Sequence, residues 1–357
     1  MSKTILIMAG GTGGHVFPGL AVADEMRERG WNVVWMGARG GLEARLVPAR
    51  GYPVAWIHAA ALRGKGFAAK LLLPLNLLIG FWQSGSAIFR IRPDVVLGMG
   101  GYVAFPGGMM ASLLARPLAV HEQNAIAGLT NRVLAGVADK SLAAFPDALK
   151  NAEWTGNPVR ADIAAIAQPA ARYAGRSGPL RLLVVGGSLG AQALNDAVPK
   201  ALALIPEAIR PSVLHQAGEK NLETLKNNYQ SSGVRGELLA FIDDMAQRYA
   251  VADLVICRAG AMTIAELSAG GMASVLVPFP HAVDDHQSAN ARFLSVRGAA
   301  ILFPQEKLTP QGLADLIRSL DRKALLAMAE KARVLGKPDA ASVVADRCVE
   351  LVIGKPG

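Results

Sequence analysis

Cysteine is scarce in this chain, and the apolar segment at its N-terminus is short. Cys257 and Cys348 are the only two cysteines, so they form at most one disulfide, and no Cys-x-x-Cys pair occurs. This usage indicates a reducing compartment. The apolar part of the N-terminal segment MSKTILIM is too short for a signal peptide. We therefore expect a cytoplasmic protein.

Acidic residues are outnumbered by basic ones. The chain carries 37 Lys and Arg against 28 Asp and Glu, which is a formal net charge of +9. Such a balance favours an anionic partner. The candidates are a nucleic acid, an anionic lipid and a phosphorylated substrate. The composition is 52% hydrophobic and 18% charged, which excludes a disordered chain. A length of 357 residues is typical of about two domains.

Two common nucleotide-binding fingerprints are absent. A dinucleotide-binding turn has the pattern Gly-x-Gly-x-x-Gly and an acidic residue after the second strand. Here Gly11 and Gly13 are followed by Val16 at the third glycine position, and the second strand ends in WMGARGG without a carboxylate. No Gly-Lys-Ser or Gly-Lys-Thr follows a glycine loop. The sequence therefore indicates neither an NAD enzyme nor a P-loop NTPase.

Metal-binding motifs are missing as well. The chain has no Asp-x-Asp, His-x-His or His-Glu-x-x-His pattern. A minor alternative is a cluster late in the chain that consists of His281, Asp284, Asp285 and His286. We therefore expect a protein that uses neither a metal nor another cofactor.

Short apolar runs alternate with helical stretches along the chain. This alternation predicts an α/β fold of parallel sheets covered by helices on both faces. We place the junction between two such domains near Asn157–Arg160 and expect an irregular connection from there to Pro179. The last helical stretch, Ala340–Ile353, is expected to pack back on one of the two domains. The predicted strands are Thr4–Met8, Asn32–Met36, Val95–Gly98, Leu118–His121, Lys140–Ala143, Arg181–Val185, Ser212–Gln216, Glu237–Phe241, Leu254–Cys257, Ser274–Val277 and Ala300–Phe303.

Three glycine-rich turns follow predicted strands, at residues 9–15, 98–108 and 186–192. Glycine lets backbone N–H groups approach a ligand closely, and the helix that follows offers unpaired N–H groups at its positive end. Such a turn suits a phosphate. A single turn is equally well explained as a tight strand-to-helix connection, but three of them favour phosphate or pyrophosphate binding.

Polar side chains stand close to these turns and at other strand ends. His15 begins a helix, where a neutral imidazole is able to accept a proton, although a purely local hydrogen bond is the alternative. The segments HEQNAIAGLTNR (121–132), RAGAMTIAE (258–266) and PFPHAVDDHQSANA (278–291) also follow strands. Open α/β sheets bind their ligands at this edge. Glu266, in the second turn of its helix, either holds the two hydroxyls of a ribose or is simply solvated.

Residues 62–93 form an apolar stretch with basic flanks. No charge lies between Lys70 and Arg90, but Pro74 and several polar residues argue against a membrane-spanning helix. An apolar face rimmed by cations suits attachment to an anionic membrane surface, and a buried amphipathic helix is the alternative. The residues proposed for the apolar face are Leu75, Leu78, Ile79 and Trp82, and the flanking cations are Arg63, Lys65, Lys70, Arg90 and Arg92.

Taken together, these motifs resemble the MurG family of glycosyltransferases. The resemblance runs from Met8 to beyond Gln287 and is carried by GGTGGHVFPGLA, ALRGKG, PDVVLGMGGYVAFPGG, HEQNAIAGLTNR, GNPVR, GGSLGA and RAGAMTIAE. It implies the GT-B fold, in which two Rossmann-like parallel-sheet domains face each other across a cleft. The implied domains are 1–159, for the acceptor and the membrane, with the C-terminal helix 340–357 packing back on it, and 160–339, for the UDP-sugar.

The resemblance also implies an activity and a location. The family transfers N-acetylglucosamine from UDP-N-acetylglucosamine (UDP-GlcNAc) to the C4 hydroxyl of undecaprenyl-pyrophosphoryl-MurNAc-pentapeptide (lipid I), which gives lipid II and UDP. The implied enzyme is an inverting hexosyltransferase of peptidoglycan synthesis. Its implied location is the cytoplasmic face of the bacterial inner membrane, as a peripheral protein, and no nucleic acid is expected as a partner.

On the acceptor side, the resemblance assigns roles near the first glycine turn. Thr12, Gly13 and Gly14 border the sugar and the acceptor pyrophosphate, and Asn124 reaches the sugar from the N-terminal domain. Because inversion requires a single in-line displacement, a base must take the proton of the C4 hydroxyl. His15 is the first choice for that base, and Glu122 or another nearby carboxylate is the alternative.

On the donor side, the implied roles fall mainly in the C-terminal domain. Ser188 and Arg160 meet the diphosphate, and with the N-terminus of the helix at 187–190 they balance the charge of the leaving UDP without a metal. The backbone of Ile242 binds uracil, Glu266 binds the ribose hydroxyls and Gln287 contacts the sugar. The pocket is lined by Ala261, Met262, Thr263, Ile264, Ala265 and Glu266.

Two other functions explain parts of the sequence. An epimerase of the same fold that acts on a UDP-sugar needs neither an acceptor nor a lipid-facing stretch, so residues 62–93 speak against it. A basic nucleic-acid-binding protein is suggested by the net charge, but the sequence contains no RNA- or DNA-binding motif.

Overall fold

The computed structural model describes residues 2–59, 73–187 and 190–353. By its internal contacts the chain divides into two compact units. The first consists of Met1–Arg160 and Asp339–Gly357, and the second of Ala161–Pro338. Each unit contains one parallel β-sheet covered by helices, so the predicted α/β class with two Rossmann-like halves is confirmed.

The first unit is built on a seven-stranded sheet with the order β3-β2-β1-β4-β5-β6-β7. Its strands pair in parallel throughout. The strands are β1 (Thr4–Ala9), β2 (Asn32–Gly37), β3 (Val54–Trp56), β4 (Val95–Gly100), β5 (Leu118–Glu122), β6 (Lys140–Ala143) and β7 (Glu153–Trp154). The helices are Gly13–Glu28, Glu43–Ala49, Leu73–Ile91, Ala104–Leu113, Leu129–Leu134 and Ala340–Ile353.

The central strands of this sheet are apolar on both faces because helices cover both faces. Along β1, Ile5 and Ile7 pack into one buried cluster and Leu6 and Met8 into another. The alternation follows from the twofold period of a strand. A buried polar contact adds to the packing, since the indole N–H of Trp35 donates to the carbonyl of Ala9 at 2.9 Å.

The C-terminal helix Ala340–Ile353 packs on the helix Gly13–Glu28 of the same unit. Val344 and Cys348 of this helix are fully buried in the core. Two charged contacts hold its exposed side. Arg29 pairs with Asp346, with 2.6 Å between nitrogen and oxygen, and Arg347 pairs with Glu153 of β7 at 2.8 Å.

The second unit contains a six-stranded parallel sheet with the order β10-β9-β8-β11-β12-β13. Its core brings together buried side chains of the sheet and of the helices around it. The strands are β8 (Arg181–Val185), β9 (Ser212–Gln216), β10 (Glu237–Leu239), β11 (Leu254–Cys257), β12 (Ser274–Leu276) and β13 (Ile301–Leu302). The α-helices are Ala161–Ala164, Pro169–Tyr173, Gln192–Ala203, Leu222–Ser231, Met245–Val251, Ala261–Gly270, His286–Ser295, Pro310–Ser319 and Arg322–Leu335, and 3-10 turns occur at Glu207–Ile209, Val283–Asp285 and Gln305–Lys307.

The sequence prediction was wrong at two short edge strands and in one connection. Val54–Trp56 and Glu153–Trp154 are strands that it missed. Neither is long enough to show a periodic pattern, and each pairs with only one neighbouring strand. The connection after Arg160 contains the short helices Ala161–Ala164 and Pro169–Tyr173 instead of irregular chain, the second of which has proline at a helix start, where its missing N–H costs nothing.

Candidate active site

The first unit places its glycine turns at the point where the strand order reverses. Strands β1 and β4 are neighbours, and the chain leaves them in opposite directions along the sheet, which is where open α/β sheets bind ligands. The turn after β1 touches the turn after β4. A Cβ atom at Gly101, whose φ is +79°, would collide with the carbonyl oxygen of Gly10, so only glycine permits this approach.

The helix Gly13–Glu28 begins directly after the first turn. Its N-cap, Thr12, makes no side-chain capping bond, and its first turn has no acidic residue. The N-terminal N–H groups, beginning with those of Gly13 and Gly14, form a suitable end for an anion. Thr12 is exposed and the two glycines are half-buried. These are the three consecutive residues that the family resemblance assigns to the sugar and the acceptor pyrophosphate.

His15 lies in the first turn of this helix and points toward the end of β5. Its Nδ1 lies 2.7 Å from Oε1 of Gln123. The Nε2 of Gln123 in turn lies 3.0 Å from Nδ1 of His121, whose Nε2 lies 2.9 Å from the carbonyl oxygen of Gly156. Burial lowers the pKa of His121 to about 4. No role was predicted for Gln123, although it lies within the segment HEQNAIAGLTNR (121–132).

Glu122 is the last residue of β5, and its carboxylate is buried. Oε1 accepts from the backbone N–H of Asn124 at 2.8 Å and from its side-chain amide at 3.3 Å. Oε2 accepts from Asn131 Nδ2 at 2.8 Å and from the N–H of Gly128 at 3.3 Å. Both oxygens are therefore engaged in holding the loop that carries Asn124.

A second buried carboxylate, for which no role was predicted from the sequence, supports the first glycine turn. Glu43 is fully buried and accepts from the N–H of Gly11 at 2.9 Å and from that of Ala38 at 3.1 Å. It lies one helical turn before the buried Val47. That spacing was a signal that Glu43 faces the protein interior, since residues i and i+4 share a helix face.

The second unit repeats the turn geometry after β8, next to its own order reversal between β8 and β11. Gly190 has a φ of +75°, and a Cβ there would collide with the carbonyl oxygen of Ala217. The helix Gln192–Ala203 follows without a side-chain cap or an acidic first turn. Ser188, which the sequence analysis assigned to the diphosphate, lies outside the described residues.

The helix Ala261–Gly270 begins at the carboxyl end of β11 with Gly260 as its N-cap and without a side-chain cap. Ala261 and Ile264 are buried, while the other four residues of the predicted pocket lining are half-buried: Met262, Thr263, Ala265 and Glu266. The Glu266 carboxylate accepts a hydrogen bond from the hydroxyl of Tyr249 at 3.2 Å. Tyr249 is buried in the helix before β11, so it holds the carboxylate from the interior side.

Gln287 is anchored at the start of the helix His286–Ser295. Its Oε1 accepts from the backbone N–H groups of Phe279 at 3.0 Å and Ala259 at 3.3 Å. The amide nitrogen is the end of this side chain that can donate to a sugar hydroxyl. Ile242 is buried in the segment that follows β10, and Arg160 is the half-buried last residue of the first unit's N-terminal part.

No group of three or more His, Cys, Asp and Glu side chains able to hold a metal ion occurs among residues 2–59, 73–187 and 190–353. In the same part of the chain, no helix combines the length and the apolar character needed to cross a membrane. The predicted apolar face on the helix Leu73–Ile91 is largely solvent-exposed. The exposed fractions of Leu75, Leu78 and Trp82 are 55%, 66% and 73%, and Ile79 is half-buried.

Comparisons with known proteins agree with this arrangement in both units. The glycosyltransferase family 28 N-terminal domain matches residues 5–143, and the family 28 C-terminal domain matches residues 181–344. A protein of Aromatoleum aromaticum named UDP-N-acetylglucosamine–N-acetylmuramyl-(pentapeptide) pyrophosphoryl-undecaprenol N-acetylglucosamine transferase is 68% identical over 99% of both chains. A protein of the same name from an Azoarcus species is 64% identical, again over 99% of both chains. The crystal structure of Acinetobacter baumannii MurG superposes with a TM-score of 0.85 at 39% identity, over 98% of this chain and 99% of that one.

Proposed function

Since the chain belongs to the MurG family of glycosyltransferases, we propose that it transfers N-acetylglucosamine from UDP-GlcNAc to the C4 hydroxyl of lipid I. The products are lipid II and UDP. The observation that carries the proposal is the 68% identity over 99% of both chains to a transferase of that name. The uncapped helix starts after the glycine turns in both units support it, because donor and acceptor each contain a diphosphate.

The reaction inverts the anomeric carbon in one in-line step. The acceptor C4 oxygen forms a bond to C1 of the sugar while the bond between C1 and the phosphate oxygen breaks, and the electron pair of that bond leaves with UDP. The hydroxyl proton moves to a base on the enzyme. A positioned base accelerates such a step by about 10²–10⁴-fold.

We assign the base role to His15 in preference to Glu122. The Glu122 carboxylate is buried, and its two oxygens accept four hydrogen bonds. Protonating it would cost those bonds, since a protonated oxygen no longer accepts in the same way. His15 is half-buried beside the first glycine turn, and because Gln123 faces its Nδ1, we assign the other ring nitrogen to the acceptor hydroxyl. Glu122 then keeps Asn124 in place for the sugar.

The donor nucleotide is assigned to the second unit. Glu266, held by Tyr249, accepts from the ribose hydroxyls, and the amide nitrogen of Gln287 donates to the sugar. The remaining assignments rest on the family resemblance alone: uracil on the backbone of Ile242, the pocket lining Ala261–Glu266, and the diphosphate on Ser188 and Arg160. Because cations and helix N-termini balance the charge of UDP in this scheme, we expect transfer to persist in EDTA.

We further propose that the protein is peripheral on the cytoplasmic face of the inner membrane and binds anionic lipid through residues 62–93. The exposed Leu75, Leu78 and Trp82 support this proposal, as does Phe89, which is 69% exposed. Arg90 and Arg92 are exposed at the end of the same helix. A surface with these properties suits an enzyme whose acceptor is anchored in the bilayer. The cations Arg63, Lys65 and Lys70 of the predicted rim lie outside the described residues.

Radiolabel transfer tests the main proposal. UDP-GlcNAc labelled in the sugar is incubated with a short-chain lipid-linked MurNAc-pentapeptide, and labelled lipid and UDP are measured in parallel. Label in the lipid that depends on both substrates supports the proposal. UDP release with free N-acetylmannosamine and no acceptor would instead indicate the epimerase. Neither signal, combined with salt-sensitive DNA binding, would indicate the nucleic-acid-binding alternative.

A further inference from the structure

A run of hydrogen bonds in the first unit leads from a backbone carbonyl to His15. It passes from Gly156 O through His121 and Gln123 to the His15 ring, with distances of 2.9, 3.0 and 2.7 Å. His121 and Gln123 are fully buried, so they depend on protein partners for their hydrogen bonds. The donor or acceptor role of each group therefore depends on its neighbour in the run.

The run begins at an atom that can only accept hydrogen bonds. The Gly156 carbonyl oxygen cannot donate, so Nε2 of His121 carries a proton. Because burial lowers the pKa of His121 to about 4, this ring is neutral near pH 7 and its Nδ1 has no proton. The Nδ1 of His121 is thus an acceptor, and it faces Nε2 of Gln123 at 3.0 Å.

The amide orientation of Gln123 follows from a second contact. One end of the amide lies 2.9 Å from the backbone carbonyl oxygen of His121 and 3.0 Å from Nδ1 of the same residue. Both are acceptors, so this end is the NH₂ group. The amide oxygen therefore faces His15. The side-chain amide of Asn157 donates to the backbone carbonyl of Gln123 at 3.0 Å and holds the residue in this position.

An amide oxygen also only accepts, so the nitrogen of His15 that faces it carries the proton. We infer that Gln123 and His121 are positioning residues that hold His15 as the Nδ1–H tautomer and leave Nε2 as the nitrogen that receives the acceptor proton. The tautomer itself is a property of the free protein, and only its catalytic use rests on the proposed function. The ring is also confined by packing, since a Cβ atom at Gly100 would lie 3.1 Å from Nδ1 and Cε1 of His15.

The tautomers are measurable by NMR on protein labelled with ¹⁵N in histidine. The chain has six histidines, and the His15→Ala variant identifies the His15 signals. In the neutral ring we expect a protonated Nδ1 and an unprotonated Nε2 for His15, and the reverse for His121. His15 with its proton on Nε2, or in fast exchange between both tautomers, would overturn the inference.

Two substitutions of Gln123 separate tautomer control from simple support. Gln123→Leu and Gln123→Glu both remove the amide that donates to His121, but only glutamate still offers His15 an acceptor. We expect Gln123→Leu to lose the Nδ1–H signature and to lower kcat by roughly 10²-fold or more, with less change in KM. We expect Gln123→Glu to keep the signature and to lose less activity. Equal loss in both variants, with the wild-type tautomer retained in each, would reduce Gln123 to a packing role.

The pH profile gives an independent readout. A carboxylate beside His15 stabilises the imidazolium, so the acid limb of kcat/KM moves to higher pH in Gln123→Glu. The other ionisable groups close to the run are His121 and Glu122, and the new carboxylate also faces Nδ1 of His121, so the ¹⁵N signals of both histidine rings are followed across the same pH range. An acid limb that stays in place, or that moves to lower pH, would contradict the assignment of His15 as the group that Gln123 faces.

A matched control comes from the same carbonyl. Thr155 Oγ1 also donates to Gly156 O, at 3.1 Å, but it lies outside the run to His15. Thr155→Val is expected to leave the His15 and His121 tautomers and kcat close to wild type. If transfer activity is absent in the wild type while the tautomers are as expected, the proposed function fails and the tautomer inference stands. If activity is present and His15 is the other tautomer, the proposed function stands and the tautomer inference fails.

Discussion

His15 shows how a single side chain acquires a chemical role from its surroundings. It lies at a helix start beside a glycine turn, and its Nδ1 is held by Gln123 at 2.7 Å. We expect His15→Ala to lower kcat by about 10²–10⁴-fold and to change the KM for UDP-GlcNAc little, because the donor is assigned to the other unit. Steady-state kinetics with both substrates measure this. His58→Ala, an exposed histidine in the same unit, is the control, and a loss confined to KM would reassign His15 to binding.

Tyr249 and Glu266 form the corresponding pair in the second unit. The Tyr249 hydroxyl donates to the carboxylate that is proposed to accept from the ribose. We expect Tyr249→Phe to raise the KM for UDP-GlcNAc several-fold, because one hydrogen bond of this kind contributes about 0.5–1.5 kcal/mol. The variant should also discriminate less against a 2′-deoxyribose donor.

Tyr229→Phe is the control for this prediction. Tyr229 is a buried tyrosine of the same unit whose hydroxyl contacts His215 at 3.1 Å. We expect it to change stability without changing the KM for the donor. An unchanged KM in Tyr249→Phe, or an equal rise in both variants, would show that the Tyr249 hydroxyl does not position Glu266 for the nucleotide.

The helix Leu73–Ile91 carries a prediction at the scale of a whole element. Its inner face packs on the helix Ala104–Leu113, while Leu78 and Trp82 are 66% and 73% exposed. Burying such a side chain in a bilayer interface contributes about 1.5–3 kcal/mol. We therefore expect Leu78→Ser with Trp82→Ser to weaken binding to anionic vesicles at least tenfold in a sedimentation assay, and added salt to weaken it further.

The matched control is an exposed apolar residue elsewhere. Val334 is 83% exposed on the helix Arg322–Leu335. We expect Val334→Ser to leave vesicle binding unchanged. Transfer to a water-soluble acceptor analogue should be unaffected in all these variants. Vesicle binding that survives the double substitution would assign the membrane contact to another surface.

Strands were predictable where they are long and lie inside a sheet. Arg181–Val185 and Leu254–Cys257 have the bounds that the apolar pattern predicts, because both faces of these strands are buried. Val54–Trp56 was missed, since three residues show no periodicity. The helix Pro169–Tyr173 is stabilised by tertiary contacts, such as the Tyr173 hydroxyl on the carbonyl of Asp253 at 2.5 Å. Local sequence does not contain such information.

For the whole molecule, the sequence indicated which residues lie at the carboxyl edge of each sheet, but not which of their side chains form hydrogen bonds with one another. His15 and Glu122 were proposed from their places after β1 and on β5. That the Glu122 carboxylate holds a loop depends on hydrogen bonds to groups two to nine residues further along the chain, whose geometry the sequence pattern does not show. That Gln123 contacts His15 depends on a contact between segments 108 residues apart. For Glu43, the helical spacing to Val47 indicates an inward-facing side chain, but not the two N–H groups from which its carboxylate accepts.

A buried ion cluster ties distant parts of the second unit together. The Asp253 side chain is completely buried directly before β11 and accepts from Arg176 at 2.6 Å, Arg322 at 3.0 Å and the N–H of Arg181 at 2.9 Å. It thereby joins the segment before β8, the first residue of β8 and the helix Arg322–Leu335. These donors hold the pKa of Asp253 below its ordinary value despite its burial. Part of the pH dependence of stability should therefore come from this buried carboxylate.

The sign of that dependence follows from the lowered pKa. A carboxylate that is more acidic in the folded protein contributes stability above its unfolded pKa of about 3.9 and loses it as the pH falls through the folded value. We expect Asp253→Asn to lower the unfolding free energy of this unit at pH 7 by roughly 3–5 kcal/mol, because two arginines lose a buried partner, and to flatten its decline below pH 4. Denaturant unfolding followed across pH measures both effects. Asp315→Asn removes an exposed pair with Arg318 and should lower stability far less, because solvent screens a surface ion pair. A similar loss in both variants would mean that the buried cluster contributes no more than a surface ion pair.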